Sequence, residues 1–154
     1  MMDTILITYG TQPFAQRIGR LLSSCYKVAY ASSEPFPDIL LKQNYHRIPT
    51  GANPTFAHEI LKLCLDKGYQ IILPLGKMEG QPLNEARVLL EEYGIAVLLP
   101  HDLEDCFVIE NPSGAVHVLK SGKDMLTGEQ LCDSPFSGVG MMSDSDEEPI
   151  LCLV

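Results

Sequence analysis

Positive charge is almost missing from the last third of this chain. Residues 101–154 carry only Lys120 and Lys123 against eleven Asp and Glu, whereas residues 1–100 balance nine Lys and Arg with nine Asp and Glu. The net charge of −9 therefore arises entirely beyond Pro100. Nucleic acid is bound through clustered cations, so it is excluded as an expected partner. An acidic surface suits solubility, or contact with a basic protein surface.

Long apolar runs are also missing. None approaches the roughly 18 residues of a membrane-spanning helix, so no membrane association is expected. The start of the chain lacks the basic-then-apolar pattern of a signal peptide. The five cysteines, at 25, 64, 106, 132 and 152, are odd in number and widely spaced, with no Cys-x-x-Cys pair. That pattern argues against a disulfide framework or a zinc site and for a reduced, cytoplasmic setting. Cys64 and Cys152 lie in apolar patterns and are expected in the core.

Catalytic signatures are absent in turn. There is no Gly-x-Ser-x-Gly, and His58-Glu59 does not belong to a His-Glu-x-x-His helix. Gly76-Lys77 and Gly122-Lys123 lack the spacing of a phosphate-binding P-loop, and the loop after Tyr9 lacks a full Gly-x-Gly-x-x-Gly. His46, His58, His101 and His117 are dispersed, which gives no metal-ligand pattern. No catalytic residue, metal or cofactor is expected from these residues.

What is there is a strand–helix alternation over residues 1–100. Residues 5–9 and 71–75 are short unbroken apolar runs, as in strands buried on both faces of a parallel sheet. Pro13 stands where a first helical residue belongs, and Phe14, Ile18, Leu21 and Leu22 then form one apolar helix face. Residues 27–31 read as a second strand, 38–43 as a short helix and 45–48 as a third strand. Asn53-Pro54 opens another helix, whose face is Phe56, Ile60, Leu63 and Cys64 and whose end is Gly68. A Gly- and Pro-rich loop follows the strand at 71–75. A helix ending at Gly94 and a last strand complete the unit. The expected fold is α/β: a Rossmann-like, doubly wound, parallel five-stranded sheet in the order 3-2-1-4-5.

Beyond Pro100 an acidic antiparallel β appendage, residues 101–154, is expected. Residues 106–109 and 115–119 flank an Asn-Pro-Ser-Gly turn and read as a hairpin. Residues 139–142 and 150–154 read as a second strand pair, joined by the acidic run 143–148 as a solvated turn. Two-stranded hairpins are marginal alone, so these strands must pack on the sheet or on another copy. A homodimer is expected, with the terminal strands in or near its interface.

Ligands in open α/β sheets bind beyond the carboxyl ends of the strands. The candidate site is therefore a crevice between Gly10, Thr11 and Gln12 after the first strand and Gly76, Lys77, Glu79, Gly80 and Gln81 after the fourth. Backbone N–H groups at the next helix start favour an anion, so a small anionic or zwitterionic metabolite is the expected ligand. Glu34, 24 residues after Gly10, is a weaker candidate for a ribose contact.

Residues 4–100 resemble the N-terminal, pre-ATP-grasp domain of ATP-grasp ligases. Three stretches carry the resemblance. The first is Ile5-Leu6-Ile7-Thr8 with its glycine-containing turn. The second is Ile48-Pro49 through Phe56, Ile60, Leu61 and Cys64. The third runs from Ile72-Leu73-Pro74 through Gly80-Gln81-x-Leu83-Asn84 to Gly94. This last stretch is similar to the strand, Gly-Gly-Gln-x-x-Leu-Asn helix start and following strand of carbamoyl-phosphate synthetase large subunits. In that family the domain supplies part of a substrate pocket and does not by itself hold ATP. The nucleotide clamp and magnesium carboxylates of the ATP-grasp region have no counterpart in the 54 residues after Pro100. The resemblance thus implies a non-catalytic stand-alone domain that binds a small metabolite or docks an ATP-grasp ligase, with no ATP turnover of its own. The alternatives are a Rossmann-like enzyme acting on a nucleotide or nucleotide-sugar, and a structural or interaction protein with a vestigial pocket. A filled crevice would favour the last.

Overall fold

The computed structural model describes residues 3–133, 135–142 and 149–154. Five parallel strands form the first sheet: β1 (Thr4–Ile7), β2 (Lys27–Ser32), β3 (Tyr45–Arg47), β4 (Ile71–Leu73) and β5 (Ala96–Val97). Their order is β3-β2-β1-β4-β5, the one expected from the alternation of elements. Successive side chains of a strand point to opposite faces, and the core divides accordingly. Ile5, Ile7, Ile71 and Leu73 belong to one buried cluster, and Leu6, Ile72, Ala29 and Val97 to another.

Helix α1 (Pro13–Leu22) covers the first face with Phe14, Ala15, Ile18 and Leu22. Leu21, read as part of that apolar face, falls at its rim and is partly exposed. The opposite face is covered by three helices. These are α2 (Phe56–Lys67), with Phe56, Ile60, Leu61 and Cys64 buried, and two short helices, α3 (Gly80–Glu85) and α4 (Arg87–Glu92), carrying Leu83 and Leu90. α2 ends at Gly68 in the left-handed conformation (φ 73°), where a Cβ would be strained. The single helix expected up to Gly94 is interrupted at Ala86 (φ −94°, ψ 2°). Flanking that break, Asn84 and Arg87 both reach back to carbonyl oxygens at the end of β5.

One helix cannot cover five strands, and the second sheet fills the remainder of that face. It is built from β6 (Val108–Glu110), β7 (His117–Lys120), β8 (Lys123–Asp124), β9 (Gly138–Met141) and β10 (Ile150–Leu153) in the order β6-β10-β9-β7-β8. Three pairings are antiparallel, including the expected pair β9–β10, and β6 runs parallel to β10. Val116, Val118, Val139 and Cys152 join the cluster of Ile5, Leu73, Leu75 and Leu98. The Val154 N–H donates to the Leu75 carbonyl at 2.9 Å, tying the second sheet to the segment after β4.

The hairpin expected from residues 106–109 and 115–119 does not form, because β6 and β7 lie three places apart in the sheet. The Arg17 guanidinium on α1 donates to the carbonyls of Pro112 and Gly114. That clamp holds the connection against α1. β10 is an interior strand with Leu151, Cys152 and Leu153 buried, so its apolar residues are covered within one chain. The acidic run 143–148, read as a solvated turn, lies outside the described residues.

Candidate functional site

The sheet order reverses between β1 and β4, and the loops beyond their carboxyl ends meet around a buried carboxyl. Thr8 follows β1 and is wholly buried. Its hydroxyl donates to Glu79 Oε1 at 2.5 Å and accepts from the Leu75 N–H at 2.8 Å. The Gly76 N–H donates to the same Glu79 oxygen at 3.1 Å. Glu79 closes a one-turn 3-10 helix (Lys77–Glu79) and is 2% exposed. Burial pushes its carboxyl up to about 7, against the opposing pull of hydrogen bonds from Thr8, Gly76 and Leu75.

Tyr9 sits beside this group in a left-handed backbone conformation (φ 54°), uncommon for a residue with a bulky side chain. Its ring lies against Gly76, where a Cβ would come within 2.2 Å of Tyr9 Cε2. Burial raises the phenol, and the negative charges of Glu79 and Glu34 raise it further. Tyr9 and Glu79 thus lie between the two loops, where a ligand of the expected crevice would sit. Gln12 turns the other way and donates from Nε2 to Glu34 Oε1 at 2.8 Å. Gln16 holds this side with Nε2 donating to the Gly10 carbonyl (2.5 Å) and the Tyr45 hydroxyl (2.6 Å).

The open space is one strand further along. A cleft of about 460 Å³ runs between the start of α3 and residues 101–105, with Lys77, Gln81 and Asn84 on one wall and His101, Asp102 and Asp105 on the other. Glu85 and Glu104 also line it, so four acidic residues and one lysine share its walls. A smaller hollow of about 210 Å³ lies on the other side of the same segment, against Cys106 and Phe136.

Both walls are held by side chains of α3 and α4 that bond to carbonyls of residues 97–101. Arg87 is 7% exposed and donates to Asn84 Oδ1 (2.6 Å) and to the carbonyls of Val97 (3.0 Å) and Leu99 (2.6 Å). Burial lowers its pKa from the ordinary value, and Glu91 offsets part of that. Asn84 in turn donates to the Pro100 carbonyl at 3.1 Å. A buried guanidinium satisfied by carbonyls is a fixed brace, since losing it strands several acceptors.

The expected site residues therefore separate into three groups. Lys77 and Gln81 line the cleft, Lys77 exposed and 3.9 Å from Glu110, and Gln81 bonded to Glu85 at 3.1 Å. Gly76, Glu79 and Gly80 are buried beneath it, Gly80 against Leu103. Gly10, Thr11, Gln12 and Glu34 lie on the β1–β2 side. Thr8 and Asn84 enter the sequence reading only as part of the resemblance, and Tyr9, Arg87 and the 101–105 wall are not read there as site residues. The three-residue spacing of Asn84 and Arg87 gives a further signal, since on a continuous helix it would put both on one face.

Elsewhere, His117 is paired within the second sheet. Its Nδ1 lies 3.1 Å from Asp124 Oδ2, and Asp124 also accepts from the Leu126 and Thr127 N–H groups. Cys64 and Cys152 are buried, their thiols pushed up by burial to about 12 and about 11. Among the described residues no three His, Cys, Asp or Glu side chains are grouped to hold a metal ion, and no helix is long and apolar enough to cross a membrane. No protein-family model matches the chain, and no curated protein matches it either.

Proposed function

We propose that the protein is a non-catalytic, cytoplasmic, pre-ATP-grasp-like module that binds a small zwitterionic metabolite in the cleft between α3 and residues 101–105. The observation that carries this reading is the lining of that cleft. Lys77 offers an ammonium for a ligand carboxylate, and Glu85, Asp102, Glu104 and Asp105 offer acceptors for a ligand ammonium. With four carboxylates to one cation, a purely anionic ligand is repelled. The volume lies within the range of small-molecule sites. The cytoplasmic setting is supported by the odd number and wide spacing of the five cysteines, with no Cys-x-x-Cys pair.

Thermal-shift screening of the full chain against zwitterionic amino acids, dicarboxylates and nucleotides tests this. A zwitterion is expected to raise the melting temperature, and Lys77→Ala and Asp102→Asn are each expected to remove that rise. Stabilisation by a nucleotide that survives Lys77→Ala and is lost with Gln12→Ala would point to the nucleotide-enzyme alternative. A second reading, a structural protein with a vestigial pocket, is favoured by one observation: Tyr9 and Glu79 occupy the space where the sheet order reverses. Absence of stabilisation by every compound would favour it.

A further inference from the structure

The outermost strand of the second sheet is open. Among the described residues β6 pairs only with β10, through bonds such as Leu151 N–H to the Phe107 carbonyl and Asn111 N–H to the Leu153 carbonyl, both 2.8 Å. In a parallel pair alternate residues direct their backbone groups at the partner strand. Residues 107, 109 and 111 are therefore spent on β10, and Val108 and Glu110 direct N–H and C=O outward. Phe107 is 82% exposed, and Val108 and Ile109 are 37% exposed each.

Natural edges are blunted by short strands, charged side chains, Pro or a bulge, and of these β6 has its three-residue length and Glu110. Residues 107–111 contain neither Lys nor Pro. The opposite edge differs: β8 has two residues, and its Lys123 is bridged by Gln130.

Charge identifies the kind of strand that fits. Asp102, Glu104 and Asp105 precede β6 and Glu110 ends it, with no Lys or Arg between residues 100 and 112. Glu104 and Asp105 are exposed, and among the described residues the one cation paired with Glu110 is Lys77, at 3.9 Å. Two copies joined β6 to β6 would bring the same acids together, which opposes that pairing. We propose that β6 is a strand-addition site for an extended, Lys- or Arg-bearing segment of another protein. The added strand takes its main-chain bonds from Val108 and Glu110, its apolar side chains meet Phe107 and Ile109, and its cations meet Glu104, Asp105 and Glu110. This proposal does not rest on the small-ligand reading.

Phage selection of random peptides of about ten residues on the full-length chain provides the test. The expected consensus alternates β-branched or aromatic residues with Lys or Arg. Val108→Pro removes an outward N–H and leaves the β6–β10 ladder intact, as proline at a strand edge can. It is expected to weaken the selected peptide about tenfold or more, with the circular dichroism spectrum unchanged. The triple variant Glu104→Gln, Asp105→Asn, Glu110→Gln is a second arm that spares the backbone. It is expected to weaken binding about tenfold and to flatten its salt dependence. No enrichment, an acidic consensus, or affinity indifferent to both variants overturns the proposal. A dimer in sedimentation that Val108→Pro dissolves would assign the edge to a second copy and overturn it as well.

Discussion

Replacing Glu79 with Gln removes a carboxyl that is 2% exposed while keeping an acceptor oxygen for Thr8 and Gly76. The folded pKa of about 7 lies above the ordinary 4.5, because burial penalises the charged form. A raised value means the folded chain holds the proton more tightly than the unfolded chain. The stabilisation is fully present below about pH 4.5 and is lost as pH rises through about 7. The full gap corresponds to roughly 3 kcal/mol, of which about 2–3 kcal/mol falls between about pH 5 and about pH 8. Urea unfolding of the wild type and Glu79→Gln across that range reads it directly. The wild type is expected to lose about 2–3 kcal/mol relative to the variant as pH rises. Parallel stability profiles for the two proteins would refute the reasoning, because they would mean that Glu79 titrates alike in both states.

Other substitutions separate structural roles from exposed ones. Gly76→Ala drives a Cβ into the Tyr9 ring and is expected to cost about 1–3 kcal/mol, measured by denaturant unfolding. Arg87→Ala strands the Val97 and Leu99 carbonyls and is expected to cost roughly 2–3 kcal/mol and to abolish any ligand-induced thermal shift, since the 101–105 wall loses its brace. Lys77→Ala touches an exposed pair at 3.9 Å and is expected to change stability by about 0.5 kcal/mol or less. Thiol labelling of the native protein at about pH 8 is expected to leave Cys64 and Cys152 unmodified while the exposed Cys25 reacts, because buried thiols carry almost no thiolate.

Much of the first sheet was legible because its strands are local statements. Residues 5–7 and 71–73 are apolar on consecutive positions, which only a strand buried on both faces needs. The pairing of β6 was not legible. Asn-Pro-Ser-Gly favours a turn locally, but the segment is held by Arg17, some 95 residues from Pro112, and β6 pairs with the last strand of the chain. Nor does any local breaker mark Ala86, since Glu85-Ala86-Arg87 favours a continuous helix. The flanking Arg87 and Asn84 have their partners at the end of β5. The loop after β4 could be located from strand and glycine signals. The burial of Glu79 could not, because a lone acid in a Gly-rich loop reads as solvated and its partner Thr8 lies 71 residues away.

The most direct measurement of the central claim is amide chemical-shift mapping of the isotopically labelled full chain with the zwitterion that gives the largest thermal shift. Ligand in the cleft is expected to move Gln81, Asn84 and the 101–105 amides in a saturable manner, and the Lys77→Ala variant is expected to need about tenfold more ligand to do so. Saturable shifts confined to Gly10, Thr11, Gln12 and Glu34 would contradict the account, as would unchanged affinity in Lys77→Ala.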